Sequence, residues 1–330
     1  MKRRSPSLGS RRGGRALAAG GVSWRDGVHV LGTQVWCDAR RARAVCFVSS
    51  ADRTSRAGHG QLIATAETLA LLGAPGDAHL AAPLRRPFTL GTVRLELVPT
   101  GYVVGAAALA VDAGGHRVFY AGAVAPAGRG LGGAAELRPC DTLVVAAPYG
   151  AEHHRFDGGP ADVVGFAHEV LAAGEVPVVL VTSAARGLDV AAALAAAGVA
   201  VAGHRAIVDA ARRLAGAGLE LSVRRTVARG RALVWPVGEH ARAAAAVRGL
   251  PARVALASGL AVERDRVRAL GVDRAIAWSG AADRAALLGF VAASGAAEVA
   301  VTGPWAEEIA RAIGPRARAL GPPRQMPLFA

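Results

Sequence analysis

Several features that would point to a familiar class of protein are scarce or absent in this sequence. Lys2 is the only lysine, and the three cysteines, Cys37, Cys46 and Cys140, form no CxxC pair. An odd number of cysteines argues against a secreted disulfide scaffold, so we expect a cytoplasmic protein. Apolar runs such as residues 176–181 are far shorter than the roughly 20 residues that cross a bilayer, so no membrane association is expected.

The common catalytic signatures are also missing. The chain has no HExxH, GxxxxGK[ST] or GxSxG sequence, which leaves helix-borne zinc, a P-loop and a nucleophile elbow without support. GRGLGG at residues 128–133 matches GxGxxG, but a dinucleotide site needs a helix directly after the glycines. Pro139 stops the following segment before two helical turns are complete, so the motif predicts a loop.

Only two of the nine histidines are adjacent in the sequence. His153 and His154 adjoin, with Glu152 and Asp157 nearby, and a metal site would need their ligand atoms to converge. Adjacent side chains on an extended chain point to opposite faces. The pair therefore predicts a solvated turn.

The sequence is rich in arginine and carries a formal charge of +14. A basic protein attracts phosphates. Abundant arginine beside very abundant alanine and glycine is also what a G+C-rich genome produces without selection for binding. Nucleic-acid contact and genome composition therefore remain alternative explanations of the charge.

At 330 residues with 52% hydrophobic residues, the chain is long enough to bury a large core. Residues 1–20 read as a disordered basic tail, and the following part is rich in strands. A helix is predicted at 65–73, with Thr65 as N-cap and Gly73 as C-cap. From about residue 161, helices alternate with apolar strands, a pattern typical of a parallel sheet. Strands return after about residue 230.

Six short segments, in order, resemble the motifs of the metallo-β-lactamase superfamily, specifically the β-CASP-like branch of RNA- and DNA-processing exonucleases that includes the exonuclease associated with bacterial DNA ligases. The segments are VSSADRTS at 48–55, PTGYVVGAA at 99–107, YAGA at 120–123, AAPYG at 146–150, WSGAAD at 278–283 and VTG at 301–303. The closing QMPLF resembles the QxxLF ending of the same branch. The resemblance implies an α/β fold: an αββα sandwich with an inserted small α/β cap.

The same resemblance implies a division of the chain. The first part of the core would cover 21–165, the cap 166–230, and the second part of the core with a C-terminal tail 231–330. It also implies the positions where the family holds two zinc ions. These positions carry Ser50, Asp52, Ser55, Tyr102, Ala281 and Thr302 in place of histidines, and Thr54, Ala123 and Ala146 in place of carboxylates.

Only Asp52 among these residues is a good metal ligand, since serine, threonine, tyrosine and alanine bind zinc poorly. We therefore expect no metal, no cofactor and no catalytic residues. The leading hypothesis is a non-catalytic relative of these nucleases that binds RNA, DNA or a protein through the inherited groove. An active paralogue and a DNA-repair or RNA-processing protein are the protein partners considered. The candidate nucleic-acid contacts are Arg53, Arg56, Arg85, Arg86, Arg129, Arg155 and Arg186.

Two other functions stay open. One is an active hydrolase with a rearranged site built from Asp52, Tyr102, Asp283 and either His153 or His154, which requires these groups to converge in one cleft. The other is a structural interaction protein without affinity for nucleic acid. Salt dependence separates this structural protein from the nucleic-acid-binding relative, because binding through phosphate contacts weakens steeply as the salt concentration rises.

Overall fold

The computed structural model describes residues 21–52, 58–74, 78–247 and 249–322. The predicted tail at 1–20 and the QMPLF segment lie outside the described residues. Within them the chain forms three sheets and eight α-helices, so the prediction of a mixed α/β protein is confirmed. No helix in this part of the chain combines the length and apolarity that crossing a bilayer requires.

The first sheet has six strands, which follow one another in chain order across the sheet. They are β1 (Val22–Trp24), β2 (Val28–Val30), β3 (Val35–Cys37), β4 (Val45–Phe47), β5 (Gln61–Ala64) and β6 (Leu80–Ala81). Residues 28–38, in the part predicted to be rich in strands, form the hairpin β2–β3. The chain turns there because Gly32 has a φ of 76° and the Thr33 hydroxyl donates to the Val30 carbonyl.

The second sheet has seven strands. Five of them lie between residues 88 and 146, and two lie near the end of the described chain. Its strands are β7 (Phe88–Leu90), β8 (Val93–Pro99), β9 (Ala107–Ala113), β10 (His116–Gly122), β11 (Thr142–Ala146), β18 (Glu298–Thr302) and β19 (Ala317–Ala319). Strand β11 pairs in parallel with both β10 and β18. The long segment between β11 and β18 is therefore an excursion out of this sheet and back.

That excursion forms the third sheet, in which every strand pair is parallel. Its strands, in order across the sheet, are β14 (Val223–Arg224), β13 (Ala200–Gly203), β15 (Arg231–Pro236), β12 (Val176–Val181), β16 (Ala252–Ala257) and β17 (Arg274–Ile276). The predicted parallel sheet is confirmed. The predicted cap limits of 166 and 230 do not coincide with it, because β15 inserts between β13 and β12 and so continues the sheet beyond residue 230.

Helices cover the outer faces of the sheets. They are α1 (Ala66–Leu72), α2 (Pro160–Ala172), α3 (Ala184–Ala196), α4 (Arg205–Ala215), α5 (His240–Ala246), α6 (Arg264–Leu270), α7 (Arg284–Ser294) and α8 (Ala306–Ile313). The first two sheets pack face to face, with α1 outside the first sheet and α7 and α8 outside the second. In the third sheet, α2, α3 and α4 cover one face, and α5 and α6 cover the other.

Helix α1 begins and ends where the sequence predicts. Thr65 caps it by accepting the Thr68 backbone N–H at 3.1 Å, and Gly73 ends it in the left-handed conformation. The Thr65 hydroxyl also donates to the Gly105 carbonyl at 2.6 Å. This hydrogen bond ties α1 to the loop that carries Tyr102.

We expect Thr65→Ala to lower the free energy of unfolding by about 1–2 kcal/mol, because it removes both the helix cap and the hydrogen bond to Gly105. Urea unfolding followed by circular dichroism measures the change. Thr65→Ser keeps the hydroxyl and serves as the control, with a loss well below that of alanine. Equal losses for the two variants would show that the methyl group matters and the cap does not.

Candidate functional site

Three of the positions that resemble zinc-ligand positions meet in one buried cluster. Ala123, Ala146 and Ala281 pack against one another, and Tyr102 and Tyr149 cover them. We call these three residues the alanine cluster. They come from distant parts of the chain, and the tertiary structure brings them together.

Strand geometry explains why two residues of the alanine cluster, Ala123 and Ala146, lie close together. Strands β10 and β11 run parallel, so Ala123 just after β10 and Ala146 at the end of β11 leave the second sheet at the same edge. The pairing shifts register between Tyr120 and Gly122, and Gly122 has a φ of 61°. A glycine allows this bend, which brings the chain back over Ser49.

Asp52 is the one carboxylate among these positions that the structure describes. Its Oδ2 accepts hydrogen bonds from the Tyr102 hydroxyl and from the Ser183 hydroxyl, each at 3.0 Å. Ser183 is also the N-cap of α3. We call the third sheet with its helices α2 to α6 the third-sheet unit. The carboxylate therefore joins the segment after β4 of the first sheet, the Tyr102 loop and the third-sheet unit at one point. The sequence signal that could have found Ser183 is a serine two positions after a buried strand and directly before a helix.

The remaining positions offer weak metal donors. Ser50 is buried, and its hydroxyl has no hydrogen-bond partner among the described residues. The Thr302 hydroxyl lies 3.4 Å from the Val145 carbonyl, in the strand that pairs with its own. Thr54 and Ser55 lie outside the described residues. A zinc centre needs imidazole, thiolate or carboxylate donors, and a set of three methyl groups, a phenol, two hydroxyls and a single carboxylate does not fit it.

The predicted solvated turn holds for His153, which is exposed in a turn, but His154 is buried. His154 is only 1% exposed, and both rings reach the same oxygen of Glu263, at 3.2 Å and 2.8 Å. These hydrogen bonds lower the pKa of the Glu263 carboxyl, with His154 the larger cause. Glu263 directly precedes α6, so the contact joins the loop after β11 to the third-sheet unit.

The ligand atoms of these three residues lie within 4.8 Å of one another, a spacing that would suit a metal ion. The hydrogen bonds of His154 oppose that use. Its Nδ1 accepts the backbone N–H groups of Gly150 and Ala151 at 3.0 Å and 2.9 Å, so its proton is on Nε2 and is donated to Glu263. A metal would need Nε2 without its proton. His153, His154 and Glu263 therefore form a hydrogen-bonded contact between two segments of the chain.

In the hypothetical rearranged site, Asp52 and Tyr102 meet, whereas Asp283 and the two histidines have other partners. Asp283 accepts the backbone N–H of Ala286 at 2.9 Å and that of Phe156 at 3.0 Å, as the N-cap of α7. Asp52 bonds to Tyr102, and the histidines bond to Glu263. Among the described residues, no hydrogen bond links Asp283 to Asp52 or to either histidine.

The candidate arginines differ widely in their surroundings. Arg186 is 3% exposed and its guanidinium bonds to Asp189 at 2.6 Å and to the Trp278 carbonyl at 3.3 Å, so its assignment to a nucleic-acid surface was wrong. Arg85 pairs with Glu136, and Arg129 donates to the Gly158 carbonyl. Arg86 and Arg155 are exposed, and Arg53 and Arg56 lie outside the described residues.

The GRGLGG segment is a loop, as predicted, and no helix follows it. A Cβ on Gly130 would lie 2.8 Å from a carboxylate oxygen of Asp189, and one on Gly132 would lie 2.8 Å from the Val103 carbonyl. The glycines therefore allow this loop to pack closely against α3 and the Tyr102 loop. Asp189 in turn accepts the Leu131 backbone N–H at 2.8 Å.

Neither a protein-family model nor a curated protein matches this chain. Among solved structures, the chain is similar to a protein of unknown function from Enterococcus faecalis V583, at 12% sequence identity and a TM-score of 0.54. The match covers 86% of this chain and 80% of the other. At this identity the likeness shows a shared fold alone.

We expect Arg186→Met to destabilise the protein by about 3–5 kcal/mol, because it leaves the Asp189 carboxylate buried without its partner. Burial already raises the pKa of that carboxyl, against the opposing effect of Arg186. The double variant Arg186→Met/Asp189→Asn removes both charges and keeps an acceptor for Leu131. Urea unfolding should find it more stable than Arg186→Met alone. A double variant as unstable as the sum of the single variants would contradict a coupled pair.

The acid stability of the protein should depend on Glu263. Its pKa in the folded protein lies below the ordinary value of 4.5, so its stabilising contribution is present above that pH and is lost as the pH falls through the folded pKa. Glu263→Gln should therefore be less stable than the unchanged protein at pH 7, with a gap that narrows below about pH 4.5. Thermal unfolding across pH measures this. Glu152→Gln, on an exposed residue of the same loop, is the control and should show no such trend.

Proposed function

We propose that this chain is a non-catalytic relative of the metal-dependent nucleases of the metallo-β-lactamase superfamily, in the β-CASP-like branch, and that it binds nucleic acid. The observation that carries the proposal is the alanine cluster. Motif resemblance alone selected Ala123, Ala146, Ala281 and Tyr102, and these four residues pack together. Kinship with a fold that assembles a metal centre from distant loops accounts for that meeting.

The layers of the fold support the same kinship. Two facing sheets with α1 on one outer face and α7 and α8 on the other fit an αββα sandwich. The third sheet lies in the chain between β11 and β18, which are neighbours in the second sheet, and so fits an inserted cap. A parallel sheet with helices on both faces is what a small α/β cap contains.

The side chains support the loss of catalysis. A two-zinc nuclease holds a hydroxide whose pKa the metals lower, and the metals also stabilise charge on the phosphate. Methyl groups at three ligand positions bind no metal, and Asp52 is occupied by two hydroxyl donors. Apolar packing also removes the cost of holding several like charges close together without an ion.

Metal analysis and a nuclease panel test the non-catalytic part of the proposal. After incubation with zinc and removal of free metal, we expect far less than one zinc per chain, because the donor set is missing. We also expect no cleavage of single- or double-stranded RNA or DNA. Asp52→Ala is the matched variant and should leave both results unchanged. Stoichiometric zinc together with cleavage that disappears in Asp52→Ala would establish an active hydrolase instead.

A further inference from the structure

The third sheet carries a cleft at the edge where its strands β13 and β15 end. We call it the edge cleft, and its volume is about 790 Å³. Three arginines, Arg205, Arg225 and Arg242, line it together with Trp235 and a single acidic residue, Glu239. No motif in the sequence pointed to these residues, because they come from α4, the segment after β14, β15 and the start of α5.

The charge in the edge cleft is only partly neutralised. Glu239 pairs with Arg242 at 3.1 Å and lies 3.6 Å from a ring nitrogen of His204. Arg205 and Arg225 are exposed, and neither forms an ion pair or a side-chain hydrogen bond with a described residue. Two guanidinium groups are therefore left to face a ligand, and their planar forks match the oxygens of a phosphate.

The aromatic ring adds a second kind of contact. Trp235 is half-buried in the wall of the edge cleft, held by a hydrogen bond from its ring N–H to the Glu239 carbonyl at 3.0 Å and by edge-to-face packing with His204. A fixed indole beside free arginines is the combination with which proteins bind single-stranded nucleic acid, because any base stacks on an aromatic face. A cleft of this volume accepts one or two nucleotides and is too small for a duplex.

The edge cleft continues toward the alanine cluster. Arg205 also lines a neighbouring cleft of about 830 Å³, whose wall includes Asp52, Tyr102 and Ser183. Tyr102 packs against the alanine cluster. Arg205 therefore lies between the edge cleft and the side chains next to the alanine cluster.

We propose that the edge cleft binds the phosphates and a base of single-stranded nucleic acid through Arg205, Arg225 and Trp235. This inference rests on the proposed function and assigns its binding site. The site lies on the third-sheet unit, outside the positions that resemble zinc ligands.

Binding of a fluorescent oligothymidylate or oligouridylate of about 16 nucleotides, followed by anisotropy at several salt concentrations, tests the site. Arg205→Ala/Arg225→Ala should raise Kd roughly tenfold at low salt and reduce the salt slope by about 1.4, since each lost phosphate contact removes about 0.7. The control is Arg264→Ala/Arg266→Ala on α6, which removes the same charge from exposed residues outside the cleft. It should leave Kd within about twofold.

Trp235→Leu separates nucleic acid from other polyanions. It should weaken oligothymidylate binding and leave inorganic polyphosphate binding unchanged, because only the oligonucleotide has bases to stack. A variant that binds both as the unchanged protein does would overturn the stacking of a base on Trp235, and with it the assignment of a base to the edge cleft.

The outcomes separate this inference from the function on which it rests. If the unchanged protein binds oligonucleotides and the two double variants lose affinity equally, the edge cleft is overturned and nucleic-acid binding stands. If the unchanged protein does not bind the oligonucleotides at low salt, both the proposed nucleic-acid binding and the proposed edge-cleft site are wrong. Metal content and cleavage decide the non-catalytic part independently.

Discussion

The buried pair of Arg186 and Asp189 holds the third-sheet unit against the rest of the molecule. Arg186 bonds to the Trp278 carbonyl and lies over its ring at 4.7 Å, while Asp189 receives the GRGLGG loop. Two glycines make the approach possible, since a Cβ on Gly130 would press on Asp189 and one on Gly280 would press on Arg186. Such a pair adds little net stability over apolar packing, but removing one partner leaves the other charge buried without compensation.

The buried pair also bears on the candidate site. Helix α3 carries both charges of the pair and also begins at Ser183, whose hydroxyl meets Asp52. The position of the third-sheet unit therefore determines which side chains border the alanine cluster. A second contact, from the two adjacent histidines to Glu263, holds the other side of the same junction. Both contacts are polar, and apolar contacts join the same units, because Val103 and Ala106 pack with Ala185 of α3.

An apolar centre suits a protein that does not bind metal there. Carboxylates and imidazoles gathered in one buried place without an ion would repel one another or remain unpaired, and both effects cost stability. The alanine cluster avoids that cost and keeps the strand ends together. In the proposed function, the chemistry at this centre is lost while the surrounding surface, including the edge cleft, still meets the ligand.

The sequence by itself determined the local elements: the capped helix at 65–73, the loop at 128–133 and the parallel strands from 176, because caps, glycines and apolar periodicity act over a few residues. Only the tertiary structure decided which charges are buried. Arg186 reads as a surface arginine and His154 as part of a turn until their distant partners, Trp278 and Glu263, are in place. Burial and hydrogen-bond partners depend on residues about a hundred positions away, which no local pattern records.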